Sequence, residues 1–259
     1  MASEIPLIET DKDLLKVLSV ATNDELDTLV KYITEKGFVS SQLDKTEKYE
    51  KYHPDHRMYY KEIAAEIQKF GGSSIANLFR GGKGVPYKEI VCDVADRLEI
   101  KYEKSDSIDK IETLIILATL EKIWNGIDEE SKKRMMEKIS DRFKDKPLPA
   151  NFPSDIIEEI IEQKDKEGLC VGLSVGFLAS NYMSNQLIGE NLASSKSSTV
   201  KKILVVGVPL LINPLLGIGS LTGVLAGPAY RVTVPTVIHV AYIRKAAYYD
   251  GRLKSEDFR

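Results

Sequence analysis

The residues best suited to chemistry lie in one glycine-rich stretch: Phe70-Gly71-Gly72-Ser73-Ser74-Ile75-Ala76-Asn77-Leu78-Phe79-Arg80-Gly81-Gly82-Lys83-Gly84. Glycines allow backbone N–H groups to converge on an anion, and two cations would add charge. Arg80, Gly81, Gly82, Lys83 and Gly84 are therefore the candidate anion-binding residues. The pattern departs from a nucleotide loop, because Gly82-Lys83 is followed by Gly84 where a P-loop has Ser or Thr. A Gly-x-Gly-x-x-Gly spacing after a strand is also missing. A turn between two helices, with Gly81 or Gly82 as C-terminal cap, explains the same glycines without a ligand.

Other reactive side chains are sparse. His53-Pro54-Asp55-His56 offers two imidazoles and a carboxylate but no third ligand, and reads as a solvated loop. No metal is expected. His239 sits in an apolar stretch and reads as a core histidine bonded to a neighbour. Cys92 reads as a small core residue, and neither it nor Cys170 has zinc-site spacing. No nucleophile with a nearby base stands out. No catalytic residue and no cofactor are assigned, and the chain is not expected to be an enzyme.

The elements that must position these residues are helical. Thr22 and Glu25 have capping-box spacing before Leu26, Leu29, Val30 and Ile33. A second helix spans Met58–Phe70 with Ile63, Ile67 and Phe70 inward. A third, Tyr87–Ile100, repeats Ile90, Val91, Val94 and Leu98; a fourth covers Ser107–Gly126. Two more are expected over Asp128–Phe143 and Asp155–Lys166, separated by the proline-rich 144–153. The one β-leaning run, Val232–Val240, is broken by Pro235, which a central strand would not tolerate.

The last third differs in kind. Residues 1–167 hold 27 Lys/Arg against 35 Asp/Glu, while 168–259 hold 9 against 4, a split that suggests two surroundings. The front carries no basic patch of the size nucleic acid requires, so no nucleic-acid partner is expected. Gly168–Gly189 and Ile203–Tyr230 are free of charge. Gly168, Gly172 and Gly176 form one ladder, and Gly219, Gly223 and Gly227 another. On a helix, positions four apart share a face, so each ladder is a groove where a second backbone can approach. Each glycine costs about 0.8–1 kcal/mol relative to alanine, which close packing would offset.

Two readings of this region stay open. Its uncharged length suits membrane insertion, with Lys201, Lys202, Arg231, Arg244 and Lys245 as charged borders. Pro209, Pro214 and the polar group Ser180, Asn181, Ser184, Asn185 and Gln186 suit a hairpin buried in a helical shell. Storage in the fold, with release onto a membrane, lies between them. The start Met-Ala-Ser-Glu-Ile-Pro has no secretory pattern, so a cytoplasmic, membrane-associating protein is expected.

Two motifs carry a family resemblance. Phe70–Asn77 and Arg80–Gly84, with Tyr87, Ile90, Asp93-Val94 and Arg97-Leu98, resemble the YaaW-type bacterial family. Gly227-Pro228-Ala229-Tyr230-Arg231-Val232-Thr233-Val234-Pro235 with Ala241-Tyr242-Ile243-Arg244 is similar to the same family, as is Leu15–Ile33. The resemblance implies kinship with the ubiquinol–cytochrome c chaperone superfamily, and hence an all-α module that binds a protein partner. Related front modules are fused to GTPase-like domains, which implies a GTPase partner; this chain lacks the P-loop for GTP hydrolysis itself.

The expected architecture is all-α: an acidic helical N-terminal part plus a hydrophobic, glycine-rich C-terminal helical hairpin. The expected divisions are an N-terminal helical module at 1–40, a chaperone-like domain at 41–145 and a glycine-ladder domain at 154–250. The leading function is non-catalytic action at or near the membrane, through partner binding and a stored or inserted hydrophobic hairpin. The runner-up is a soluble chaperone or assembly factor with the hairpin as permanent core. A phosphate- or nucleotide-binding protein using residues 71–84 comes third.

Overall fold

A computed structural model of the chain describes residues 5–34, 41–72, 84–126, 129, 230–254 and 256. The described residues are helical and contain no strand, as expected for an all-α protein. In chain order the helices are α1 (Lys12–Ser19), α2 (Asn23–Thr34), α3 (Glu47–Tyr52), α4 (Tyr60–Gly72), α5 (Tyr87–Arg97), α6 (Ile108–Gly126) and α7 (Tyr230–Tyr249). Short 3₁₀ turns at Leu43–Lys45 and His56–Tyr59 precede α3 and α4.

Local sequence explains most of these elements. The capping box forms at α2: Thr22 N–H donates to Glu25 Oε2 at 2.7 Å, and Glu25 N–H donates to Thr22 Oγ1 at 3.3 Å. Leu26, Leu29, Val30 and Ile33 then line its buried side. Ile63, Ile67 and Phe70 of α4, and Ile90, Val91 and Val94 of α5, are buried as their spacing predicts. Gly71 lets α4 and α5 meet: a Cβ there would lie 2.6 Å from Ile90 Cδ1. Helix α5 ends with Glu99 in the left-handed region (φ 62°), and Ile100 N–H reaches back to Ala95 O at 2.9 Å.

Helix α7 is the exception to local logic. It contains Val232, Thr233, Val234, Thr236, Val237, Ile238 and Val240, all branched at Cβ and indifferent helix formers. Pro235 inside it removes one helical hydrogen bond, a defect worth about 3 kcal/mol. Tertiary burial outweighs these costs. Every residue from Val232 to Ala247 is buried. The helix packs against α1, α2, α4 and α5, so it is the central column of its unit.

The chain divides into two units, Met1–Ile116 with Val224–Arg259, and Leu117–Gly223. The first contains α1–α5, the start of α6 and all of α7. Helix α7 thus joins the N-terminal helices, where the sequence grouped its residues with the glycine-ladder segment. The physical reason is its all-round apolar surface, which only enclosure by several helices can bury. All six ladder glycines, Gly168, Gly172, Gly176, Gly219, Gly223 and Gly227, lie outside the described residues, as do the helix expected at 155–166 and all but Glu129 of the one expected at 128–143.

Candidate functional site

The described residues concentrate their buried charge where α1, α5, α6 and α7 meet. Arg244 of α7 is 1% exposed and Glu112 of α6 is fully buried. Arg244 Nε donates to Glu112 Oε2 at 2.6 Å, and its Nη2 donates to Glu112 Oε1 at 3.2 Å. The same Nη2 bonds Asp13 at the start of α1. One residue on, Lys245 pairs with Asp109 of α6. Tyr87 of α5 completes the group by donating its hydroxyl to Glu112 Oε1 at 2.8 Å.

Electrostatics follow from this geometry. Burial pushes Glu112 above the usual carboxylate range, with Arg244 and then Lys245 and Tyr87 pulling it back. Burial opposes charge on Arg244 too, but Glu112 and Asp13 overcome it and hold the guanidinium firmly charged. Burial and the neighbouring Glu112 carboxylate drive the Tyr87 phenol far above its ordinary value. Each oxygen of Glu112 is already taken by Arg244 or Tyr87. The carboxylate thereby anchors α6 to α7.

A second polar chain binds the N-terminal segment to the rim of the glycine-rich loop. Ile8 N–H donates to Gln68 Oε1 at 2.9 Å, and Gln68 Nε2 donates to Asp11 Oδ2 at 3.0 Å. Asp11 Oδ2 also accepts Tyr87 N–H at 2.7 Å, a carboxylate at the N-terminus of α5. Val85 N–H donates to Gln68 O at 3.0 Å. Gly84, the one described member of the anion-binding set, packs on Gln68, where a Cβ would meet the backbone carbon at 3.3 Å. Arg80, Gly81, Gly82 and Lys83 lie outside the described residues.

The border cations need correction. Arg244 and Lys245 do not face outward; both are buried and paired with carboxylates of α1 and α6. A cation that ends an uncharged run looks the same in sequence whether it meets lipid or a buried acid. Arg231 is the second residue of α7, and Lys201 and Lys202 lie outside the described residues.

The histidines are also placed. His56 is not solvated but 1% exposed: its N–H donates to Asn23 Oδ1 at 2.7 Å, and Nε2 lies 3.2 Å from Asp27 Oδ1. Its Nδ1 is 2.5 Å from the Tyr59 hydroxyl, which also sits 3.3 Å from His53 Nδ1. His53 stacks on Tyr49. No group of three metal-binding side chains occurs among the described residues. His239 is the core histidine the sequence suggests, donating Nε2–H to Glu25 O at 2.8 Å. Sequence reading missed Arg252, whose guanidinium grips Glu25 Oε1 at 2.9 Å and Val20 O at 2.6 Å. The signal was Gly251, left-handed at φ 72°, which ends α7 and turns Arg252 N–H back to Ala247 O at 2.7 Å.

Among the described residues, no helix is long and apolar enough to cross a membrane. No family model matches the chain. No solved structure matches it. Curated relatives do. A UPF0174 protein of Helicobacter pylori is 28% identical over 242 residues, 90% of this chain and 91% of the relative. A second from that bacterium is 31% identical over 211 residues, 80% of this chain and 98% of the relative. The UPF0174 protein YaaW of Escherichia coli K12 is 32% identical over 258 residues, 92% of this chain and 95% of the relative. Identity at that level, over nearly the whole of both chains, makes this chain a member of the UPF0174 family.

Proposed function

We propose that the protein acts without catalysis at or near a membrane, as a helical base that binds a protein partner and holds an apolar, glycine-laddered hairpin. The observation that carries the reading is the anchoring of α6 and α7. Between them runs the long segment containing both ladders, and each helix is fixed by Arg244–Glu112 and Lys245–Asp109. Charge satisfied inside the base suits a scaffold better than a reaction centre. The kinship with the ubiquinol–cytochrome c chaperone superfamily that the family resemblance implies points to a polypeptide partner, and a GTPase is one class to test by pull-down.

The second reading is a soluble chaperone or assembly factor in which the hairpin is permanent core. The burial of Val232–Ala247 in α7, which begins three residues after Gly227, favours it. Fractionation separates the two. After a carbonate wash of membranes from expressing cells, the first reading expects a retained fraction that grows under stress. Complete recovery in the soluble fraction under every condition would leave the second.

A further inference from the structure

The first turns of α2 are gripped from two sides by histidines. His56 engages Asn23 and Asp27, while His239 of α7 engages the Glu25 carbonyl. Both imidazoles are buried, and these are two of the three histidines in the chain.

Their surroundings suit neutral rings. Donation to a carbonyl places the His239 proton on Nε2. Nδ1 is then an acceptor, buried and without a hydrogen-bond partner. A second proton would add a full charge and an unmet donor in the core. Among the described residues, no carboxylate is hydrogen-bonded to it. From α2 it meets the Tyr32 ring at 6.1 Å and Glu25, whose carboxylate is held by Arg252. On its own helix Tyr242 lies 5.4 Å away. On the other helices packed against α7, Asp13 of α1 is engaged by Arg244, Glu66 of α4 through Oε1 by Gln42 N–H and Lys69 with Oε2 left unpartnered, and Tyr87 of α5 by Glu112.

His56 is better compensated. It faces Asp27 of α2, Asp55 and Tyr59 of its own turn, and His53 at 5.5 Å beyond α3. Charging it would require the Tyr59 hydroxyl to accept from it and donate to His53.

We propose that the N-terminal turns of α2 form an acid-sensitive clasp: charging of His239, reinforced by His56, detaches α2 from α7 and uncovers the apolar face of α7. The sign follows from the fold. Burial depresses His239 to about 4 and lowers His56, against about 6.5 for a free imidazole. The opened state therefore binds protons first. The clasp is intact above about pH 6.5, weakens as pH falls towards 4, and changes no further below that. The opening equilibrium of His239 alone shifts on the order of 10²-fold across that window. Glu112, shifted upward, acts in the opposite sense but lies on α6, away from α2.

Hydrogen exchange on the full-length protein tests this. After correction for intrinsic rates, protection over residues 23–34 should fall roughly 50-fold between pH 7 and 4.5, while α5 holds. His239→Gln keeps an N–H for the Glu25 carbonyl and cannot charge, so it should lose most of the response. Unchanged protection of α2, an equal loss in α5, or an unaltered response in H239Q would overturn the clasp. Should the variant fail to fold, imidazole titration of the wild type by NMR decides. A His239 midpoint near 4 supports the proposal, and one near 6.5 refutes it.

Discussion

Arg244→Ala should cost about 3–5 kcal/mol of unfolding free energy, the usual effect of leaving a buried acid without its partner. Glu112 has no water to replace the guanidinium, being fully buried, and Asp109 and Asp13 share the same neighbourhood. Arg244→Lys should recover little, because an ammonium cannot span both Glu112 oxygens as Nε and Nη2 do. The double variant Glu112→Leu with Arg244→Met is the informative one. Apolar replacements of similar volume at a buried pair are often neutral or better, so most of the stability should return. Urea melts of the wild type, Glu112→Leu, Arg244→Met and the double variant measure the coupling directly. A loss below about 1 kcal/mol for Arg244→Ala would mean that the pair is solvated and not an anchor.

Ending the chain at Pro228 should have the larger consequence. The truncation removes Val232, Val234, Val237, Ile238, Val240 and Ile243, each fully or almost fully buried. Burial of such a side chain is worth about 1.5–3 kcal/mol, so six together rival the whole margin of roughly 5–15 kcal/mol that a domain possesses. The loss also strips Glu112, Asp13 and Asp109 of their cations and Glu25 of Arg252. The shortened chain should keep helical circular dichroism, bind hydrophobic dyes and lose its cooperative transition. A cooperative melt within a few degrees of the full-length protein would show that α1–α5 form a core without α7.

How far the sequence reveals this arrangement depends on the range of each interaction. The α2 cap was legible because Thr22 and Glu25 lie three residues apart and satisfy each other. Helices α4 and α5 were legible because one apolar stripe repeats through each. The anchor was not, since Arg244 and Glu112 are 132 residues apart and neither carries a local mark of its partner. His56 looked solvated because its sequence neighbours are charged and polar. It is buried because Asn23 and Asp27, 33 and 29 residues earlier, come to meet it. Helix α7 was the hardest element. Its branched side chains and Pro235 argue locally against a helix, and only enclosure by four others outweighs them. The proline excluded a central strand correctly, but the run's destination depended on helices more than a hundred residues upstream.

The central claim is that α7 belongs to the core of the N-terminal helices rather than to a detachable apolar segment. Native-state hydrogen exchange at pH 7 reads this directly, because core elements open only with global unfolding. Amides of residues 236–247 should show the full unfolding free energy measured by urea, matching those of α4 and α5. Exchange of that stretch through a smaller, separate opening, while α4 and α5 stay protected, would contradict the account.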